Sequence, residues 1–214
     1  MVVKRKYTKP DYSLLFMVSG AFFCFFLFGN HHLSEDWLSY YSLSVIREPG
    51  YALFVRGFID LLGEEMGIHG IALVQNLLAA FGVYAFSAYF GHEIWSKGRF
   101  LSAFFLLMPH LMTPLASNTH LVLTDTVMAE GISLSLFYLY MIPAFRIILG
   151  EPEKEFSYSF LLKQIILANI MALLACQFRG QMMYLFILTP IAVVIRIMSK
   201  EMLNNRHFPK KPEA

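Results

Sequence analysis

A succession of long, nearly uncharged apolar runs constrains this chain more than any other feature. The first, Tyr12–Gly29 (YSLLFMVSGAFFCFFLFG), contains no charged residue. At ~1.5 Å per residue, a helix over it comes close to crossing a hydrocarbon layer ~30 Å thick. Further runs follow at Ile68–Gly91, Phe100–Ala116, Leu121–Leu149, Phe160–Phe178 and Gln181–Met198. Backbone placed in lipid must satisfy its own hydrogen bonds, so each run is expected as a helix. The expected fold is therefore all-α: a polytopic transmembrane bundle of about six spans, forming one domain over residues 1–214.

Composition agrees, since 57% hydrophobic and 15% charged residues leave too little polar side chain to clothe a soluble globule. The basic start MVVKRK resembles a signal peptide, but no A-x-A-like cleavage site follows and more apolar runs do, so a retained first helix is expected. A net charge of +2 with no basic, aromatic-rich face gives no reason to expect a nucleic-acid partner. Cys24 and Cys176 lie inside apolar runs without CxxC spacing and read as packing residues.

Basic residues gather in cytoplasmic loops of membrane proteins. Lys4, Arg5, Lys6 and Lys9 precede the first run, Lys97 and Arg99 fall in an even-numbered connection, Arg146, Lys154 and Lys163 surround another, and Arg196, Lys200, Arg206, Lys210 and Lys211 close the chain. Only Arg47, Arg56 and Arg179 fall outside this pattern. Both termini are thus expected in the cytoplasm, as basic tails over residues 1–11 and 199–214, with 30–67 an outer loop and a plasma or inner membrane as the setting.

That outer loop is far longer than the about two to eight residues usual between helices. It carries NHHLSEDWLSYYSLSVIREPGY, Asn30–Tyr51. A helix over His31–Tyr41 would set His31/Glu35 and His32/Asp36 at i,i+4 and turn both acids toward one patch. Paired carboxylates at a water–lipid boundary can act as a general base or hold a divalent cation beside a phosphate, and a solvated helix end accounts for them equally. The adjacent His31 and His32 cannot both face one ion on a regular helix. Arg47 precedes a Pro-Gly turn that fixes its direction, which suits phosphate recognition or a loop salt bridge. Tyr51–Leu62 places apolar residues at 53, 54, 58, 61 and 62, with Arg56 and Asp60 off that stripe, predicting a short helix on the membrane surface.

Thr124-Asp125-Thr126 opens the fourth run, with Glu130 deeper. Ionisable groups there face a cavity or a partner, or, for Asp125, stabilise a helix N-terminus. Arg179, in CQFRGQ, reads as a snorkelling anchor or as a headgroup ligand.

The order of these features resembles the GT-C superfamily of polytopic membrane glycosyltransferases, in its protein-mannosyltransferase-like and aminoarabinose-transferase-like branch. The residues that carry the resemblance are Glu35-Asp36, the Arg47-Glu48-Pro49-Gly50-Tyr51 turn with the helix after it, VQNLLAAFG (Val74–Gly82), Thr124-Asp125 and Arg179. Asp36 stands where the family usually has Glu, and Gly180 where it usually has Pro. The similarity covers residues 12–195 and corresponds to the amino-terminal half of such enzymes. It implies a polyprenyl-phosphate-linked sugar donor and inverting transfer at the non-cytoplasmic face, with Asp36 as general base and Glu35 beside it. Arg47, Tyr51, Asp125 and Arg179 would bind substrate, and a divalent cation is compatible with the acids. Two other readings stand beside it: a noncatalytic subunit or lipid-binding, flippase-like scaffold that needs a partner membrane chain, and a small transporter using Asp125 and Glu130.

Overall fold

Helices form over the apolar runs, and their ends are set by local chemistry. The computed structural model describes residues 10–28, 32–33, 41–42, 49–117, 126–127, 129–150 and 157–206, with backbone alone at 28, 32–33, 111–117, 126–127, 129–130 and 200–206.

Helix α1 spans Tyr12–Phe28. Asp11 caps it: its main-chain carbonyl accepts from Leu15 N at 2.9 Å, and its carboxylate from Leu14 N at 3.2 Å and Ser13 Oγ at 2.7 Å. Helix α2, Pro49–Leu62, starts on a proline, whose fixed φ and missing N–H suit a first turn. Gly63, at φ +80°, turns the chain directly into α3, Glu64–Glu93. Helices α4 (Arg99–Ser117), α5 (Ala129–Leu149), α6 (Tyr158–Phe178) and α7 (Tyr184–Arg206) follow, with a 3₁₀ turn at Gly180–Met183 between the last two. Two short extended pieces, β1 (His32–Leu33) and β2 (Thr126–Val127), pair in parallel with His32 opposite Thr126 and Leu33 opposite Val127.

The protein is thus helical, and among the described residues four helical stretches are long and apolar enough to cross a bilayer: Glu64–Glu93, Gly131–Leu149, Tyr158–Phe178 and Gly180–Ser199, with the shorter apolar Tyr12–Leu27 beside them. This is the make-up of an integral membrane protein. At 30 residues, α3 reaches ~45 Å, longer than the ~30 Å hydrocarbon layer.

Three packed clusters hold the bundle. Leu14, Val18 and Phe22 of α1 meet Ala79 and Val83 of α3, Ala103 and Leu107 of α4 and Tyr138 of α5. Tyr51, Val55 and Ile59 of α2 meet Ile71 of α3 and Ile132 of α5. Tyr140 and Ile147 of α5 meet Ala168, Ala172 and Ala175 of α6 and Leu185 and Ala192 of α7. The three alanines fall on one face of α6 and let its backbone approach α5, as small residues do in membrane helix pairs. Helices α3 and α5 run parallel: a Cβ at Gly82 would lie 2.9 Å from the Ser135 carbonyl oxygen, and nearer the other end Phe86 packs on Phe145.

Several expectations are corrected. The fourth run is not helical throughout: its β-branched Thr126–Val127 is extended and the described helix begins at Ala129, residues 121–125 lying outside the described ones. Asp125 itself lies outside the described residues. His32–Leu33 is extended rather than part of the helix expected over His31–Tyr41, while Glu35 and Asp36 lie outside the described residues. In α2 the packed face is Tyr51, Ala52, Val55 and Ile59, while Leu53, Leu61 and Leu62 face outward. Helix α2 stands against α3 rather than lying flat, because Gly67 and Gly70 remove side chains from the facing surface. Cys24 faces outward and does not pack in the core.

Candidate functional site

The two ends of the bundle differ in chemistry. At the basic end, the last turn of α3 meets the start of α4 and the last turn of α5, and α1 begins beside α4. Arg99 Nε lies 2.8 Å from Asp11 Oδ2, close but not aligned as a hydrogen bond. The Arg146 guanidinium sits over the Tyr89 ring at 5.3 Å, a cation–π contact. Arg196 of α7 donates from Nη1 to the Leu149 carbonyl at 2.8 Å, covering the end of α5 where Gly150 turns at φ +69°. Hydrogen bonds from Ser13 and Leu14, and the charge of Arg99, hold the Asp11 carboxyl below its ordinary value, the Ser13 bond being the largest cause.

At the opposite end α2 runs antiparallel to α3. A Cβ at Gly67 would stand 3.0 Å from Ile59 Cα, and one at Gly70 2.7 Å from the Phe58 ring, so the helices nearly touch. This close approach drives Tyr51 into the core. It is wholly buried, and its hydroxyl donates to Gln75 Oε1 at 3.0 Å. The Tyr51 and Phe54 rings both meet Phe178 edge-on at the last residue of α6. A Cβ at Gly50 would fall 2.6 Å from the Gln177 carbonyl oxygen, so the start of α2 sits directly on the last turn of α6. Arg179 follows at the C-cap, its backbone N–H bonded to Ala175 O at 2.8 Å and its Nε donating to Gln181 Oε1 at 3.0 Å.

The same end receives the segment between α1 and α2 in two places. The β1–β2 pair joins His32–Leu33 to Thr126–Val127, and β2 packs beside α3. The Tyr41 hydroxyl donates to Asp60 Oδ1 at 3.0 Å, and Asp60 also accepts from Arg56 Nε at 3.2 Å, the i,i+4 pair expected on α2. Bonding to the Asp60 carboxylate, and then its charge, push the Tyr41 hydroxyl above its ordinary pKa.

Of the residues singled out from the sequence, Tyr51 and Arg179 are brought to one corner. Glu35, Asp36, Arg47 and Asp125 lie outside the described residues, and of Glu130 only the backbone is described. Among the described residues no group of three or more His, Cys, Asp or Glu is placed to hold a metal.

Three features escaped the sequence reading. The Asp11–Arg99 pair joins α1 to α4, and nothing in local pattern marks it. The buried His110 has its Nε2 3.5 Å from the Tyr138 hydroxyl, which donates to the Leu106 carbonyl at 2.9 Å; a polar ring inside an apolar run was its only signal. Two clefts also lie away from the α2 end. One, of ≈ 420 Å³, is an apolar groove between α1 and α3 flanked by Phe16, Phe23 and Leu77 and reaching Asn76; the other, of ≈ 520 Å³, is polar and lies at the basic end. Comparison with known proteins is silent on this site, since no family model, curated protein or solved structure matches the chain.

Proposed function

We propose that the chain is a GT-C-like membrane glycosyltransferase, or the catalytic amino-terminal module of one. It moves a hexosyl or pentosyl group from a polyprenyl-phosphate donor to an acceptor at the non-cytoplasmic face. The reading takes about six spans, both termini in the cytoplasm, and residues 30–67 as the outer loop.

The observation that supports it most is the convergence at the α2 end. Pro49-Gly50 opens α2 rather than forming the expected turn, and this helix start sits at Gly50 on the Gln177 carbonyl, beside Arg179. The segment leading into Glu35-Asp36 is paired with the one leaving Asp125. Described segments that neighbour these residues in sequence, His32–Leu33, Thr126–Val127 and Pro49–Tyr51, thus gather at the end that carries Arg179, which supports the reading.

In this reading Asp36 takes the proton from the acceptor hydroxyl. The oxygen attacks the anomeric carbon opposite the phosphate, a C–O bond forms there, the bond to the phosphate oxygen breaks, and the configuration inverts. Arg47 and Arg179 neutralise the departing polyprenyl phosphate. Glu35 and Asp125 orient the acceptor or hold a divalent cation. Tyr51 enters as the peg that fixes the start of α2, because its hydroxyl bonds to Gln75 in the core.

The test is Asp36→Asn in proteoliposomes carrying a polyprenyl-phosphate sugar. Transfer is expected to fall about 10²-fold or more while folded protein is retained. Full activity in this variant would refute the assignment.

A second reading, a noncatalytic subunit or lipid-binding scaffold acting with a partner membrane chain, draws support from the engagement of Tyr51 by Gln75 and of Arg179 by Gln181. It predicts no transfer by the wild-type chain and lipid binding that survives Asp36→Asn.

A further inference from the structure

The polar cleft at the basic end carries chemistry that the proposed transfer does not use. It measures ≈ 520 Å³ and is walled by Pro10, Asp11, Tyr84, Gly91, His92 and Arg99, where α1 begins, α3 ends and α4 begins. Exposed Tyr12, Trp95 and Tyr158 ring the same end. Tyr and Trp collect where the bilayer meets water, which sets the cleft at headgroup depth.

Its polar groups divide into two kinds. Arg99 reaches Asp11 through Nε, and among the described residues its terminal guanidinium nitrogens take no hydrogen bond. The Tyr84 hydroxyl likewise takes none among the described residues. These are donors suited to a phosphate. Asp11 supplies an acceptor: Oδ1 receives Ser13 and Leu14, which leaves lone-pair capacity on Oδ2. His92 supplies a second. Its Nδ1 lies 3.2 Å from Glu93 Oε1, a carboxylate that can only accept, so in the neutral ring Nδ1 carries the proton and Nε2 is left an acceptor.

Charge decides among ligands. A bare anion on Arg99 meets the Asp11 carboxylate beside it, and a bare cation on Asp11 meets Arg99. A zwitterion with phosphate at one end and a donor-bearing ammonium at the other satisfies both. A trimethylammonium group has no N–H to give Asp11 and His92. We infer that this cleft is a binding site for a phosphoethanolamine headgroup from the bilayer leaflet at the basic end, its phosphate on Arg99 and Tyr84 and its ammonium on Asp11 and His92.

The test places the full chain in nanodiscs with equal parts of phosphatidylethanolamine, phosphatidylcholine and phosphatidylglycerol, and counts retained lipid by native mass spectrometry. Phosphatidylethanolamine is expected about tenfold above the other two, the difference made by one hydrogen bond to a charged group. Tyr84→Phe removes a hydroxyl with no partner among the described residues, so it leaves the thermal transition unchanged and lowers that preference several-fold. Arg99→Gln abolishes it. Soluble glycerophosphoethanolamine that displaces the lipid assigns the site to headgroup chemistry alone; persistence of the lipid against it assigns the site to a bilayer lipid held also by its chains. Equal retention of the three lipids, a higher count for phosphatidylglycerol, or a preference unmoved by both substitutions would overturn the inference.

Discussion

The two ends of this bundle are tied in opposite ways. At the basic end the ties are ionic and partly exposed: Asp11 to Arg99, Arg146 to the Tyr89 ring, Arg196 to the last carbonyl of α5. At the α2 end they are apolar and buried, with Tyr51, Val55 and Ile59 packed on Ile71 and Ile132 and a single hydroxyl meeting Gln75. The difference teaches where each end keeps its charge. At the basic end charged side chains fasten helices. At the α2 end the helices are fastened by apolar packing, and the charge there, on Asp60, holds Tyr41 and Arg56 at the surface of α2.

Substitutions can break this contrast. The largest effect is expected at Tyr51. Tyr51→Ala should cost about 3–5 kcal/mol through the cavity it opens, and Tyr51→Phe about 0.5–1.5 kcal/mol by removing the hydrogen bond to Gln75, both read from chemical denaturation in detergent. A Tyr51→Phe protein as stable as the parent would show that the α2 end is not pegged by this bond.

Next comes Gly150→Ala at the basic end. A Cβ there meets the Arg196 guanidinium and forces a left-handed backbone, at a cost of about 1–2 kcal/mol. An Arg196→Ala background should relieve the steric part and leave the backbone part, sharpening the assignment of that capping contact.

Asp11→Ala should cost about 1 kcal/mol, as for other lost helix caps. Because folding lowers the Asp11 pKa, its contribution is complete above the ordinary carboxylate value of about 3.9 and fades as pH falls through the lowered value. A stability profile of Asp11→Ala parallel to the parent through that range would remove the residue from the fastening set.

The smallest effect belongs to Tyr41. Tyr41→Phe should leave global stability unchanged, since exposed pairs contribute little, but should quicken amide exchange in the adjoining loop. The sign of its pH dependence is opposite to that of Asp11. With the pKa raised by Asp60, the bond is intact below about pH 10 and is lost only as pH climbs through the raised value.

Much of the fold was legible because lipid leaves the backbone few choices: every apolar run became a helix. Boundaries were less legible. At Thr126–Val127 the apolar run continues while two adjacent β-branched residues favour extension, so the run overstated its helix there. The packed face of α2 was misjudged because that helix is apolar nearly all round. Its face is chosen by Gly67 and Gly70 on α3, which its own periodicity cannot reveal. In the candidate site Tyr51 and Gln75 each stood in a noted motif, but their bond depends on α2 folding back along α3. The Asp11–Arg99 pair and the basic-end cleft required knowing which helix ends meet.

The arginine that closes α5 has a bearing on biogenesis. The ribosome releases α5 well before α7, so the final carbonyls of the earlier helix must rely on water until Arg196 arrives. Insertion of the last helix then completes a segment already resident in the bilayer, and truncation before it should leave α5 frayed at its basic end, open to a cytoplasmic or luminal protease according to orientation.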